Sequence, residues 1–162
     1  MTDFEALLRH LVGHEVEFIL VSGAAAVAHG STRLTEDLDI VYRRTPDNIA
    51  RLAACLAPSK PYLLGAPPGL PFQLDAGTIG RDLNFTLTTQ FGALDLLGEL
   101  TGGGRYEDLL PHTMKLEVFG VPCLCLGLQR LIEVKRPAGR PRDLEAIAEL
   151  EAILEESEGH AS

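Results

Sequence analysis

Three aspartates in this chain of 162 residues have the spacing and surroundings of metal ligands. Asp37 and Asp39 stand two apart at the start of a predicted strand, and alternate residues of a strand share a face, so both carboxylates point the same way. Asp95 lies among apolar residues of another predicted strand, where an acid is costly unless it is paired or bound to a cation. Carboxylate oxygens suit Mg²⁺. The three acids therefore predict a site for Mg²⁺ or Mn²⁺.

A turn of small residues precedes the acidic pair. Residues 16–21 predict a buried strand, Ser22 and Gly23 end it, and residues 24–29 predict a short helix. Free N–H groups and the helix dipole at such a point favour a phosphate group. A phosphate site beside paired carboxylates is what metal-assisted phosphoryl or nucleotidyl transfer requires. An Asp-x-Asp pair alone is weak evidence, because acids at strand ends also protect sheet edges.

Taken together, these motifs resemble those of a known superfamily. Val-Ser-Gly-Ala-Ala at 21–25, Asp-Leu-Asp-Ile at 37–40 and the later Asp95 look like the signature of the polymerase-β-like nucleotidyltransferases. The chain is similar to small bacterial members, including the abortive-infection type of nucleotidyltransferase toxins. The resemblance reaches most of the chain through residues 29–39, 131–135 and 139–144.

The resemblance implies a role for each of these residues. Asp37 and Asp39 would bind the divalent metal, and Asp95 would bind metal or accept the proton of the attacking hydroxyl. Ser22 and Gly23 would contact the triphosphate of a nucleotide. The first glycine of the family's turn is Ser22 in this chain, and a serine backbone is less free than that of glycine.

Basic residues are predicted to offset the charge of a triphosphate next to three acids. Lys135 lies near the end of one predicted helix, and Arg142 follows the proline that begins the next; the resemblance also places basic residues here. Arg33 is assigned to the same nucleotide-binding set. The alternative for Arg142 is a solvated side chain, or one paired with the acidic final helix. His29 is either a substrate contact or a helix C-terminal residue favoured by the dipole.

Composition limits the classes of protein that the chain can belong to. It has 14 Lys and Arg against 23 Asp and Glu, a net charge of −9, which argues against a general nucleic-acid binder. No stretch is long and apolar enough to span a membrane, and the acidic N-terminus predicts a cytoplasmic protein. Three cysteines without a Cys-x-x-Cys pair predict core positions rather than a disulfide framework or zinc site; they are Cys55, Cys123 and Cys125.

The predicted fold class is α+β. A small mixed sheet carries the three acids, helices pack against it, and a helical pair ends the chain. We expect one domain over residues 1–162, with 127–158 as a C-terminal helical extension. The proline-rich residues 58–71 predict a loop without regular structure. Strands are predicted at residues 16–21, 37–43, 84–89, 93–97, 115–119 and 121–126.

Two functions remain open from the sequence. The first is a metal-dependent nucleotidyltransferase that moves a nucleoside monophosphate from an NTP to the hydroxyl of an acceptor, which is an RNA end such as tRNA, a protein or a small molecule. The second is a catalytically weak nucleotide-binding regulator or toxin–antitoxin component of the same fold, with a cognate antitoxin as partner. The three intact acids favour the enzyme, and Ser22 slightly favours the binding protein.

Overall fold

A seven-stranded mixed sheet forms the centre of the computed structural model, which describes residues 2–32, 35–135 and 141–160. Its strands are β1 (Phe18–Leu20), β2 (Leu38–Tyr42), β3 (Tyr62–Leu63), β4 (Asn84–Thr89), β5 (Gly92–Leu97), β8 (Thr113–Val118) and β9 (Val121–Leu126). Two short strands, β6 (Glu99–Leu100) and β7 (Gly104–Arg105), form a separate pair. The helices are α1 (Phe4–Gly13), α2 (Ser22–Ala28), α3 (Pro46–Leu56), α4 (Ala76–Arg81), α5 (Tyr106–Leu109), α6 (Leu128–Lys135) and α7 (Pro141–His160). The predicted α+β class with a C-terminal helical pair is confirmed.

The strand order places the acidic strands at the centre of the sheet. The order is β3-β4-β5-β2-β1-β9-β8. Strand β2 runs antiparallel to β1 and parallel to β5, and in the second pairing Asp39 lies opposite Asp95. Strand β4 runs antiparallel to β5 and places Thr86 opposite Asp95. Residues that are distant in the sequence therefore meet on one face of the sheet.

Local signals in the sequence explain where two of the helices begin. The Asp3 carboxylate accepts a hydrogen bond from the backbone N–H of Ala6 at the start of α1 (3.0 Å), as a helix N-cap does. Thr45 caps α3 in the same way, ahead of a proline at the first helical position, where the missing N–H costs nothing. The buried face of α1 consists of Leu7, Leu8 and Leu11.

The hairpin of β8 and β9 forms around Gly120, as predicted. Phe119 and Gly120 have φ angles of 49° and 79°, the left-handed values that a tight hairpin turn requires at both central positions. The ring of Phe119 stacks on Phe4 with ring centroids 5.0 Å apart. That contact brings the hairpin turn against α1.

Two local predictions are corrected, and one helix was missed. The proline-rich segment contains a 3-10 turn at Ala57–Ser59 and the strand β3, so it is not wholly irregular; β3 lies at the edge of the sheet, where proline is tolerated close to a strand. Helix α4 was not predicted, because its two glycines obscure a six-residue helix. Helix α2 begins at Ser22 rather than at residue 24.

The buried side chains form one apolar cluster that extends from α1 to Ile147 and Leu150 of α7. All three cysteines are free and buried, which confirms the prediction from their spacing. The assignment of one domain with residues 127–158 as an extension stays a prediction. None of the helices in the described part of the chain is long and apolar enough to cross a membrane.

Candidate active site

Asp37, Asp39 and Asp95 form a cluster that we call the acidic triad. One ligand oxygen from each lies within 4.8 Å of the others. Two features of the backbone produce this arrangement: the alternation of β2 directs Asp37 and Asp39 to one face, and the parallel register sets Asp95 directly beside Asp39. Asp37 is exposed, whereas Asp39 and Asp95 are half-buried. The triad therefore opens to solvent on the Asp37 side.

Two oxygens of the triad are buried and have no hydrogen-bond partner among the residues that the structure describes. They are Oδ1 of Asp39 and Oδ1 of Asp95. Buried polar atoms are nearly always paired, and an orphaned one calls for an explanation such as a bound ion. A hard divalent cation takes oxygen ligands of this kind. The donor set and its two unpaired oxygens therefore fit a divalent metal.

The electrostatics of the triad agree with that fit. Burial raises the pKa of Asp39 to about 8, and the neighbouring carboxylates of Asp95 and Asp37 add to the rise. The pKa of Asp37 is also raised, by partial burial and then by the charges of Asp95 and Glu36. Like charges held together disfavour ionisation unless a cation compensates them. The folded chain therefore keeps these acids close together at a cost in free energy.

The turn after β1 is held against the triad. The backbone N–H of Val21 donates to the carbonyl of Asp39 (3.1 Å), and the nearby Ser22 hydroxyl lowers the pKa of Asp39. Ser22 has a φ of 57°, in the left-handed region that favours glycine. The serine therefore occupies a conformation that glycine adopts without strain.

Gly23 is required by a close neighbour. A Cβ at this position would lie 2.6 Å from Oγ1 of Thr35 and 3.0 Å from its Cβ, which is too close for any side chain. The Thr35 hydroxyl in turn donates to the backbone carbonyl of Asp37 (3.3 Å). Thr35 thus links the turn at Ser22-Gly23 to the first acid, a role that the sequence analysis missed. Its only sequence signal was a hydroxyl two residues before Asp37.

Within the described part of the chain, the sheet is uncovered on the triad side of β4. Asn84, Thr86 and Thr88 are exposed there, while Phe85 and Leu87 between them are buried. Because directly opposed residues of antiparallel strands share a face, Thr86 lies on the same face as Asp95. A substrate can therefore reach the triad across β4.

A cleft of about 670 Å³ adjoins the triad at Asp37. We call it the Leu64 cleft, after an exposed side chain that follows β3. Its described lining residues are Thr2, Thr35, Glu36, Asp37, Leu64, Gly92 and Ala93. Volumes of this size are typical of sites for small molecules. Sequence analysis did not find it, because its residues come from separate segments of the chain.

The other predicted substrate contacts either lie outside the described residues or have a structural partner. Arg33 lies outside the described residues, as do the side chains of Lys135 and Arg142, so their nucleotide-binding roles stay predictions. His29 Nε2 lies 3.0 Å from the Leu126 carbonyl, so the ring can donate a hydrogen bond that ties α2 to β9. That contact favours the structural interpretation of His29.

The loop before the triad is also tied to α7. The hydroxyls of Ser31 and Thr32 both donate to the carboxylate of Glu149, the second at 3.2 Å. The C-terminal helix therefore supports the segment that leads from α2 to Asp37. Glu149 of the acidic final helix therefore has a specific structural role.

Comparisons with known proteins identify the fold. A protein of Thermotoga maritima, provisionally named a nucleotidyltransferase, superimposes with a TM-score of 0.56 at 13% identity, over 92% of this chain and 94% of its own. An antigenic nucleotidyltransferase-like protein from Paracoccidioides brasiliensis superimposes with a TM-score of 0.51 at 16% identity, over 91% of this chain and 72% of its own. The chain therefore has the nucleotidyltransferase fold. No protein-family model matches its sequence, and no curated protein does.

Proposed function

We propose that this chain is a metal-dependent nucleotidyltransferase that transfers a nucleoside monophosphate from an NTP to an acceptor hydroxyl and releases pyrophosphate. The observation that carries the proposal is the pair of buried, unpartnered oxygens of Asp39 and Asp95, next to the more exposed Asp37. A fold that only needed a stable sheet would not hold three carboxylates together at its centre, because burying an unpaired charge is costly.

Each residue of the site has a role in this proposal. Asp37, Asp39 and Asp95 hold Mg²⁺ or Mn²⁺, which when bound neutralises charge on the transferred phosphate. The backbone N–H groups of Ser22 and Gly23 bind the triphosphate. Asp95 accepts the proton of the acceptor hydroxyl as the acceptor oxygen bonds to the α-phosphorus and the bond to pyrophosphate breaks.

The proposed basic contacts complete the charge balance. Lys135 and Arg142 would bind the phosphates or the acceptor, and Arg33 would contribute to the nucleotide site. A triphosphate brought next to three acids on a chain of net charge −9 needs local cations. Lys135→Ala should weaken the binding of NTP or of the acceptor by about 1–3 kcal/mol, the scale of a charge-assisted hydrogen bond.

A transfer assay tests the proposal directly. The chain is incubated with each α-labelled NTP, Mg²⁺ or Mn²⁺, and total RNA, total protein or small hydroxyl compounds. We expect label on one acceptor class with the wild type, and no transfer with Asp39→Asn or Asp95→Asn. Asp47→Asn is the matched control, because Asp47 is an exposed acid in the first turn of α3. Full activity in either triad variant would reject the assignment.

One observation favours a second function, nucleotide binding without turnover. The Ser22 side chain lowers the pKa of Asp39, so it offsets part of the negative charge that a metal would otherwise balance. A regulatory or toxin–antitoxin component would bind a labelled NTP but transfer it to nothing. Equilibrium binding measured beside the transfer assay separates the two functions, and Ser22→Gly would raise turnover if the hydroxyl is what limits it.

A further inference from the structure

We infer that the Leu64 cleft binds the acceptor, and that the acceptor is a small hydroxyl compound carrying an amino group rather than a nucleic-acid end. This inference rests on the proposed function and specifies the second substrate of the same site. Three properties of the cleft support it: its position relative to the phosphate turn, its size, and the charge of its lining.

The strand order gives the position of the cleft relative to the phosphate turn. The turn at Ser22-Gly23 follows β1, which lies on one side of β2. Ala93 and Leu64 lie on the other side, because β5 flanks β2 there and β3 lies beyond β4. In-line transfer at phosphorus requires that the incoming oxygen and the departing pyrophosphate stand on opposite sides of the phosphate. With the triphosphate at the turn, the incoming oxygen approaches from the cleft.

The cleft lies on the same face of the sheet as the triad, because strand alternation places the side chains of both on that face. Ala93 is two residues from Asp95 on β5, so their side chains share a face. Leu64 follows β3 and donates its backbone N–H to the carbonyl of Thr86 (3.0 Å). Thr86 in turn lies opposite Asp95. An acceptor resting against Leu64 and Ala93 therefore meets Asp95, the residue proposed to take its proton.

Size and charge indicate the class of acceptor. A cleft of about 670 Å³ matches a small molecule. Beside the proposed metal ligand Asp37, its described lining carries the acidic side chain of Glu36, the hydroxyl of Thr35 and the exposed aliphatic Leu64. The chain as a whole has a net charge of −9. Such a surface attracts a cation and repels a polyphosphate backbone.

The hydroxyl of Thr2 already has two hydrogen-bond partners within the chain. It donates to the Glu36 carbonyl and accepts from the backbone N–H of Ala93 (3.2 Å). This bridge joins the N-terminal segment to the loop before the triad and to β5. It forms one wall of the cleft and leaves the Glu36 carboxylate to contact a ligand amine.

The test compares glucosamine with glucose, which has a hydroxyl in place of the amino group. Total tRNA is included as a third acceptor, with labelled NTP and Mg²⁺. We expect the wild type to label glucosamine, with a KM for glucosamine at least about tenfold below that for glucose. Glu36→Gln should reduce that preference toward equality. Label on tRNA or protein alone, or equal use of the two sugars, would overturn the inference while the proposed function stands.

A charge-inserting variant provides the second arm. Leu64→Arg should raise the KM for glucosamine at least about tenfold by placing a cation in the same cleft as the amine, with the affinity for Mg·NTP unchanged. The matched control is Leu70→Arg, since Leu70 is equally exposed in the same segment (51% against 53%) but does not line the cleft. A loss of Mg·NTP affinity in Leu64→Arg alone would assign the cleft to the nucleotide instead. Absence of both Mg·NTP binding and transfer in the wild type would reject the proposed function itself.

Discussion

Asp39→Asn should make the metal-free protein more stable near neutral pH and remove most of its stabilisation by Mg²⁺. The substitution keeps the shape of the side chain and removes one of three clustered charges. Burial, together with the carboxylates of Asp95 and Asp37, raises the pKa of Asp39 to about 8. Ionisation of Asp39 therefore opposes folding when no cation is present.

The sign and size of the effect follow from that pKa. An acid that binds its proton more tightly in the folded state than at its ordinary value of 3.8 lowers the free energy of unfolding as pH rises from about 4 to about 8. At about 1.4 kcal/mol per pKa unit, the rise sets an upper limit of roughly 6 kcal/mol. Solvent access on the Asp37 side reduces the realised gain, and we expect about 2 kcal/mol for Asp39→Asn at about pH 8.

Urea unfolding between about pH 5 and pH 8, with EDTA or with Mg²⁺, measures these quantities through the transition midpoint. The wild type should lose stability with rising pH in EDTA and regain it with Mg²⁺, whereas the variant should change little in either case. The control Asp47→Asn removes an exposed acid from the first turn of α3, so it should be slightly destabilising by about 0.3–1 kcal/mol. A wild type that gains stability between those pH values without metal, or a variant less stable than the wild type, would refute the reasoning.

Three further substitutions test the supporting structure by thermal unfolding. Gly23→Ala should lower the free energy of unfolding by about 1–3 kcal/mol, because the added Cβ meets Thr35. Adding Thr35→Ala should recover part of that stability, and an unchanged stability in the single variant would contradict the contact. Ser22→Gly should be more stable than Ser22→Ala by about 1 kcal/mol, because only glycine relieves the left-handed backbone, and equal stabilities would argue against that strain. Asn48→Ala should lower the free energy of unfolding by about 3 kcal/mol, because the buried amide hydrogen-bonds to the N–H and carbonyl of Glu17 and to the carbonyl of Arg43. A loss below about 1 kcal/mol would show that these groups find other partners.

Some of the site was predictable because it depends on nearest neighbours along the chain. Asp37 and Asp39 share a face through the two-residue period of any strand, and that needs no tertiary structure. The apolar surroundings of Asp95 marked it as unusual for the same local reason. The hairpin at Gly120 and the caps at Asp3 and Thr45 can likewise be predicted from neighbouring residues.

The sequence by itself determined most of the helices and strands, the three acids and their need for a partner charge, since these follow from local periodicity and composition. Only the tertiary structure decided that Asp39 lies opposite Asp95, because parallel pairing of distant strands is set by the packing of the whole sheet. The approach of Thr35 to Gly23 and the left-handed backbone of Ser22 were equally hidden from the sequence. Such contacts depend on where the chain returns in space, and no local pattern specifies that.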